Sequence, residues 1–203
     1  MKKRFTQRQL YRLRLEVEQQ YDNLRGARFF RRLDFLLYIV VITLAALAVR
    51  SFLVEPIRVY GDSMVPTLID GEHMVVEKVS YWVREPARGE LIICYYPGYT
   101  ESCVKRIIGL PGDIVAVQGG SLILNGKALD ESLYLTGQTY GTMDPVAVGA
   151  NEVFVVGDNR NISKDSRNSA VGCIPYYKIV GRVFAVIWPV RDFKKIERPV
   201  YAV

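Results

Sequence analysis

The chain has 203 residues, 50% of them hydrophobic, with 27 Lys/Arg against 21 Asp/Glu. That apolar share excludes bulk disorder, and the length suits one modest domain plus an appendage. A single histidine excludes a multi-histidine metal site. Three cysteines fall short of a four-thiolate zinc site and cannot all pair within one chain.

The excess charge is confined to one end. Residues 1–32 hold ten Lys/Arg and three Asp/Glu, a net of +7, which leaves the rest of the chain at −1. Within this leader, Leu10, Leu13, Val17 and Leu24 fall near heptad spacing, which predicts a short amphipathic helix. An uncharged run from Phe35 to Val49 follows, then Arg50 and Ser51, then Phe52 to Val54. As a helix, Leu33–Val54 would reach roughly 33 Å, enough for a ~30 Å hydrocarbon core, with Arg50 snorkelling outward. The expected organisation is a basic cytosolic leader at 1–32, a single transmembrane helix at 33–54 and an extracytoplasmic domain at 55–203. The positive-inside rule sets that orientation. A buried core helix is the bland rival. A cleaved leader is the sharper one, since Ala46-Leu47-Ala48 fits a small-x-small site, although those alanines lie inside the apolar run.

From Pro56 onward, short and often β-branched runs alternate with Gly, Pro, Asn and Asp. Strands are predicted at His73–Glu77, Leu91–Tyr95, Ile114–Val117, Ser121–Leu124, Glu152–Val156 and Ile179–Ile187. Asn125-Gly126 marks a hairpin turn. The expected fold is mainly β, a compact domain with its own core.

Three turn-like segments concentrate polar residues: Gly61–Leu68, Cys103–Asp113 and Gly157–Arg167. A Ser–His–Asp triad would have to use His73, which reads as an exposed strand residue. Cys94 and Cys103 flank a Pro97-Gly98 turn and could bridge two strands, leaving Cys173 unpaired, but chain spacing does not decide this. Serine with lysine as base remains. A free lysine is neutral in only about 1 molecule in 2,500 at pH 7, so a lysine base must sit where burial favours the neutral amine. Lys105, between Val104 and Arg106-Ile107-Ile108, points inward if the segment is a strand. On pattern alone, a catalytic base and a strand-edge lysine both remain open.

Taken together, Gly61-Asp62-Ser63-Met64-Val65-Pro66-Thr67-Leu68, Lys105-Arg106-Ile107-Ile108-Gly109-Leu110-Pro111-Gly112-Asp113 and Gly157-Asp158-Asn159-Arg160 with Ser163-Lys164-Asp165-Ser166-Arg167 resemble the three signature boxes of the type I signal peptidases. These are bacterial membrane-anchored serine proteases that remove secretory leader peptides. The likeness runs from about Leu33 to Pro189. It implies Ser63 as nucleophile and Lys105 as general base, with Ser163 hydrogen-bonding and orienting the lysine. Asp165 and Arg167 would form a supporting ion pair, and Asp158 and Asn159 belong to the same turn. Ile57, Val59 and Val104 match the pocket-lining positions that admit only small side chains at −1 and −3, as in Ala-x-Ala. Their plainer reading is as ordinary strand residues.

The Ser63 backbone N–H would be one oxyanion donor. One branch of the family takes the second from a hydroxyl two residues before the nucleophile. Here that position is Gly61, as in a Gram-positive-like branch, and the second donor stays unassigned. Trp82 either touches lipid or packs inward. The resemblance implies no cofactor and no metal, secretory preproteins and membrane lipid as partners, a monomer, and a single-pass place in the bacterial cell membrane. Rival readings are a Ser–Lys autoprotease of the SOS-repressor type and a non-catalytic membrane-anchored envelope protein. A nucleic-acid binder is disfavoured because the outer domain is about neutral.

Overall fold

The computed structural model describes residues 7–135 and 137–201, the side chains of 9, 21–30, 51 and 52 excepted. The chain divides into two units, Met1–Val49 and Arg50–Val203.

The first unit is built on helix α1 (Gln7–Ala48). Leu10, Leu13 and Val17 are exposed on it, and the side chain of Leu24 lies outside the described residues. The expected continuous helix to Val54 is not what forms. α1 stops at Ala48, a π-helical turn occupies Val49–Leu53, and Val54 already opens strand β1 (Val54–Arg58). Among the described residues, no helix is long and apolar enough to cross a membrane. The physical reason is local. Leu33 to Ala48 rises only about 24 Å, Arg50 interrupts the apolar run, and sheet pairing captures the chain from Val54 onward.

The second unit is mainly β. After β1 come β2 (His73–Glu77), a one-turn helix α2 (Ser80–Val83), β3 (Leu91–Tyr95) and β4 (Ser102–Gly109). Next are β5 (Ile114–Gln118), β6 (Ser121–Leu124), β7 (Lys127–Ala128), β8 (Met143–Ala147) and β9 (Glu152–Val156). The chain closes with β10 (Ile174–Pro175), β11 (Ile179–Trp188) and β12 (Lys194–Lys195). Among the described residues, a large sheet runs in the order β1-β2-β11-β3-β4-β9-β10, with β12 added to β11. A smaller one runs β7-β6-β5-β8. Cys103 to Gly109, read from sequence as turn-like, lies within β4, and only residues 110–113 make the turn. Trp82 is 63% exposed, so its packed alternative does not hold.

Three apolar clusters hold these layers together. Met64, Leu68, Met74, Val76, Leu91, Ile93, Val183 and Val186 form the first. Ile108, Phe154 and Val156 of the large sheet meet Val115, Val117, Leu122 and Leu124 of the small sheet in the second. Ile92, Cys94, Ile107, Val153, Val155 and Ile174 form the third. Burial of each large side chain contributes roughly 1.5–3 kcal/mol, so β3 and β4, buried on both faces, form the rigid floor of the domain.

The β4–β5 turn is fastened by Asp113. Its carboxylate accepts from the Leu110 N–H at 2.6 Å and from the Asn125 amide at 2.8 Å, and it pairs with Arg88 at 2.9 Å. Burial pushes this carboxyl up, but the Arg88 guanidinium, the Leu110 N–H and the Asn125 amide outweigh it and hold it below the usual range. A depressed folded value means the stabilisation is complete above the ordinary carboxylate range, near about 4, and is lost as pH falls through the folded value. Asp113→Asn should therefore cost about 1–3 kcal/mol at neutral pH, and the gap should narrow in acid. Thermal melts at pH 7 and pH 3 check this.

Candidate active site

Ser63 sits in the loop between β1 and β2. That loop is closed by backbone bonds from Val59 N–H to the Glu72 carbonyl at 2.8 Å and from Gly71 N–H to the Val59 carbonyl at 3.0 Å. Gly61, at φ +76°, turns the chain in a conformation that L side chains rarely adopt, and its N–H donates to Asp70 Oδ1 at 2.7 Å. Just after Ser63, Met64 and Leu68 are buried in the first apolar cluster and joined by a 2.9 Å backbone bond. These anchors fix the half-exposed Ser63 against the β floor.

Lys105 lies in β4, facing Ile92 across the β3–β4 ladder, and is 3% exposed. Its Nζ donates to Ser63 Oγ at 2.9 Å and to the Val104 carbonyl at 2.8 Å. Two residues 42 positions apart are thus brought into direct contact. Ser163 differs from the expectation. Its Oγ is buried without a hydrogen-bond partner among the described residues, and the bond expected to orient the lysine is not made. The Lys105 donors go instead to Ser63 and to the backbone beside it.

The third segment forms a braced loop around this contact. Asp165, 1% exposed, accepts from the Gly157 N–H at 2.9 Å and pairs with both Nε and Nη2 of Arg167 at 2.8 Å. Arg167 also donates to the Arg160 carbonyl at 2.7 Å. The Asn159 N–H donates to the Ser63 carbonyl at 3.0 Å, so this loop holds the serine backbone directly. Gly157 is the tightest point. A Cβ there would lie 2.5 Å from the Ser63 carbonyl oxygen and would collide with the Ser163 hydroxyl. Gly157→Ala should therefore displace Ser63 and lower kcat by about 100-fold while the fold persists. Single-turnover rates paired with circular dichroism check it.

Asp158 does not face Ser63. It forms a buried pair with Arg106, through Nε to Oδ1 at 2.8 Å and Nη2 to Oδ2 at 2.6 Å, and accepts from the Thr67 hydroxyl. Sequence reasoning missed the partners Arg106 and Thr67, although both lie inside the quoted boxes. It also missed Glu131, whose carboxylate holds the buried Arg160 guanidinium, while Arg160 Nε donates to the Gly157 carbonyl at 2.9 Å. An Arg inside an otherwise apolar strand, followed by Asp-Asn-Arg in a turn, was the available signal.

Of the three expected pocket residues, Val59 is buried within the first cluster, and Ile57 and Val104 pack against it half-exposed. The structure thus gathers all three in one apolar cluster. His73 pairs in register with Arg58 and Trp188. Cys94, Cys103 and Cys173 are free thiols.

Residues 32–188 match the family model described as signal peptidase, peptidase S26. A probable signal peptidase I-2 of Synechocystis sp. is 38% identical over 158 residues, covering 74% of this chain and 71% of that one. Signal peptidase I of Leptolyngbya laminosa is 36% identical over 76% of this chain and 78% of its own. Signal peptidase I of Bacillus licheniformis is 37% identical over 78% of this chain and 90% of its own. With the family model spanning most of its length and such relatives beside it, the chain belongs to the signal peptidase S26 family.

Proposed function

We propose that Ser63 is the nucleophile and Lys105 the general base of a serine endopeptidase that removes N-terminal signal peptides from exported preproteins. The chain is a peptidase by its family, and the removal of signal peptides is the activity for which its relatives are named. The 2.9 Å contact between Lys105 Nζ and Ser63 Oγ carries the assignment of roles. Read in the opposite sense, the same contact lets a neutral amine accept the hydroxyl proton as Oγ attacks the scissile carbonyl. The Ser63 N–H would meet the developing oxyanion. Collapse leaves the signal peptide esterified to Ser63, with Lys105 returning the proton to the departing amine of the mature protein. Lys105 then activates water to release the acyl group.

Asp165, Arg167, Asp158 and Asn159 act as positioning residues for the serine loop. Ser163 stands against Gly157 with its hydroxyl free to meet the amine once Ser63 is acylated. Ile57 and Val104, half-exposed and packed on the cluster that holds the buried Val59, would meet the small residues at −1 and −3. Self-cleavage of the SOS-repressor type and a non-catalytic envelope role are not favoured by these relatives.

The finer organisation belongs to the same reading: leader 1–32 in the cytoplasm, a span over 33–54, and 55–203 outside, as a monomer in the bacterial cell membrane with lipid around it. The +7 leader and the uncharged Phe35–Val49 run support it. The α-helical part alone is short for a bilayer, so the span would include the π-helical turn.

The detergent-solubilised chain, given a secretory precursor with an Ala-x-Ala site, should make a single cut after the second alanine. Replacing that alanine by phenylalanine should lower cleavage by about 100-fold or more. Mass spectrometry of the products reads both. Cleavage at unrelated positions, or indifference to the phenylalanine, would sink the substrate assignment.

A further inference from the structure

Strands β3 and β4 set Cys94 directly opposite Cys103, with their Sγ atoms 3.7 Å apart. Facing residues of an antiparallel pair have Cα atoms about 4.5–5.5 Å apart, within the range a disulfide accepts, so the bond can close by side-chain rotation. The two thiols are not equivalent. Cys94 is wholly buried and Cys103 partly exposed. The groups facing Cys103 are Cys94 on β3, Tyr96 just beyond it, Lys105 two residues along β4, and Asp165 in the braced loop. The side-chain hydrogen bond between Cys94 and Cys103 holds the Cys103 thiol down at about 7 against burial, with Tyr96 and Lys105 acting in the same direction and Asp165 opposing, while the protonated Cys103 Sγ can also donate to the Cys94 carbonyl at 3.5 Å. The same side-chain bond, with burial, pushes Cys94 well above its ordinary value. Cys103, the more exposed thiol and the one with a value near ambient pH, is therefore the attacking sulfur.

We infer that Cys94 and Cys103 form a reversible dithiol–disulfide site, oxidised by exchange with a small or protein disulfide, that sets the charge beside Lys105. The Cys103 thiolate attacks one sulfur of the incoming disulfide. A mixed S–S bond forms, the incoming S–S bond breaks, and the other half leaves as a thiolate. Cys94 then loses its proton to the departing thiolate or to water and attacks Cys103 Sγ, expelling the second half. Two cysteine thiols are oxidised and one external disulfide is reduced to two thiols. At neutral pH the reduced site carries part of a thiolate charge two residues along β4 from Lys105. The closed disulfide is neutral. This consequence rests on the reading of Lys105 as base, whereas the thiol chemistry stands apart from it.

The test uses the full chain in detergent, incubated with oxidised glutathione at pH 7, then alkylated and mapped by mass spectrometry. A Cys94–Cys103 cross-linked peptide should appear and revert with reduced glutathione. Cys94→Ser should accumulate glutathione on Cys103, and Cys103→Ser should leave Cys94 unmodified. Alkylation of both cysteines after oxidation, or glutathione on Cys94 in Cys103→Ser, overturns the site. Oxidation should also raise precursor cleavage at pH 7, by at most about fivefold, the effect of one full charge about 4 Å away at water-like screening. Cys103→Ser, which carries no thiolate there before or after oxidation, should show no such gain. An unchanged rate in protein mapped as bridged overturns the charge coupling. Continued cleavage by Lys105→Met would instead overturn the dyad and leave the peptide map standing.

Discussion

Lys105→Met should lower kcat/KM for a secretory precursor by about 10⁴-fold, with the β domain still folded. Methionine has nearly the length and volume of the lysine stem and suits a site only 3% exposed. What it lacks is the atom 2.9 Å from Ser63 Oγ. Lys105→Arg separates charge from basicity. It keeps a cation in the same strand, but a guanidinium does not become neutral at usable pH, so it should be as inactive as methionine. Activity in the arginine variant would show that the cation alone is needed. Cleavage assays with thermal melts on the same preparations distinguish a dead site from an unfolded one.

The second large effect concerns folding rather than chemistry. Arg106 and Asp158 are almost entirely buried and paired at 2.6 Å, and Arg106 also lies 4.0 Å from the centre of the Tyr134 ring. Asp158→Asn leaves the guanidinium buried with the Gly89 carbonyl and Thr67 hydroxyl as neutral acceptors. The expected cost is about 3–5 kcal/mol, because an uncompensated charge remains inside. The double variant Arg106→Met with Asp158→Asn should regain much of that loss, since replacing both partners removes the stranded charge. Denaturant unfolding of the single and double variants measures the difference. A single variant within 1 kcal/mol of the parent would show that the pair is not structural, a threshold of about the worth of one ordinary hydrogen bond.

What sequence could show follows from how far each interaction reaches along the chain. Asp165 and Arg167 are two residues apart, so their pairing was open to inspection. Ser63 and Lys105 were assigned through the resemblance of their boxes to the family's, and only the β3–β4 floor and the β1–β2 loop put them in contact. Arg106–Asp158 and Glu131–Arg160 depend on pairing between distant segments, which local pattern does not encode. β8 escaped notice because Asp144 and Pro145 break its apolar alternation, which an edge strand tolerates. The end of α1 at Ala48 was hidden for the opposite reason. Hydropathy continues through Phe52 to Val54, but backbone pairing with β2 draws Val54 into the sheet. Ser163 was placed beside the base by its position in the third box, yet its hydroxyl direction depends on the close approach of Gly157 and Ser63.

The most direct test is to trap the intermediate. A precursor peptide mixed with the detergent-solubilised chain, quenched in acid within a single turnover and digested, should yield one modified enzyme peptide. It should contain Ser63, carrying the signal-peptide acyl group as an ester, and be absent from Ser63→Ala. An acyl group on another residue, or undiminished cleavage by Ser63→Ala, would contradict the assignment of Ser63 as the nucleophile.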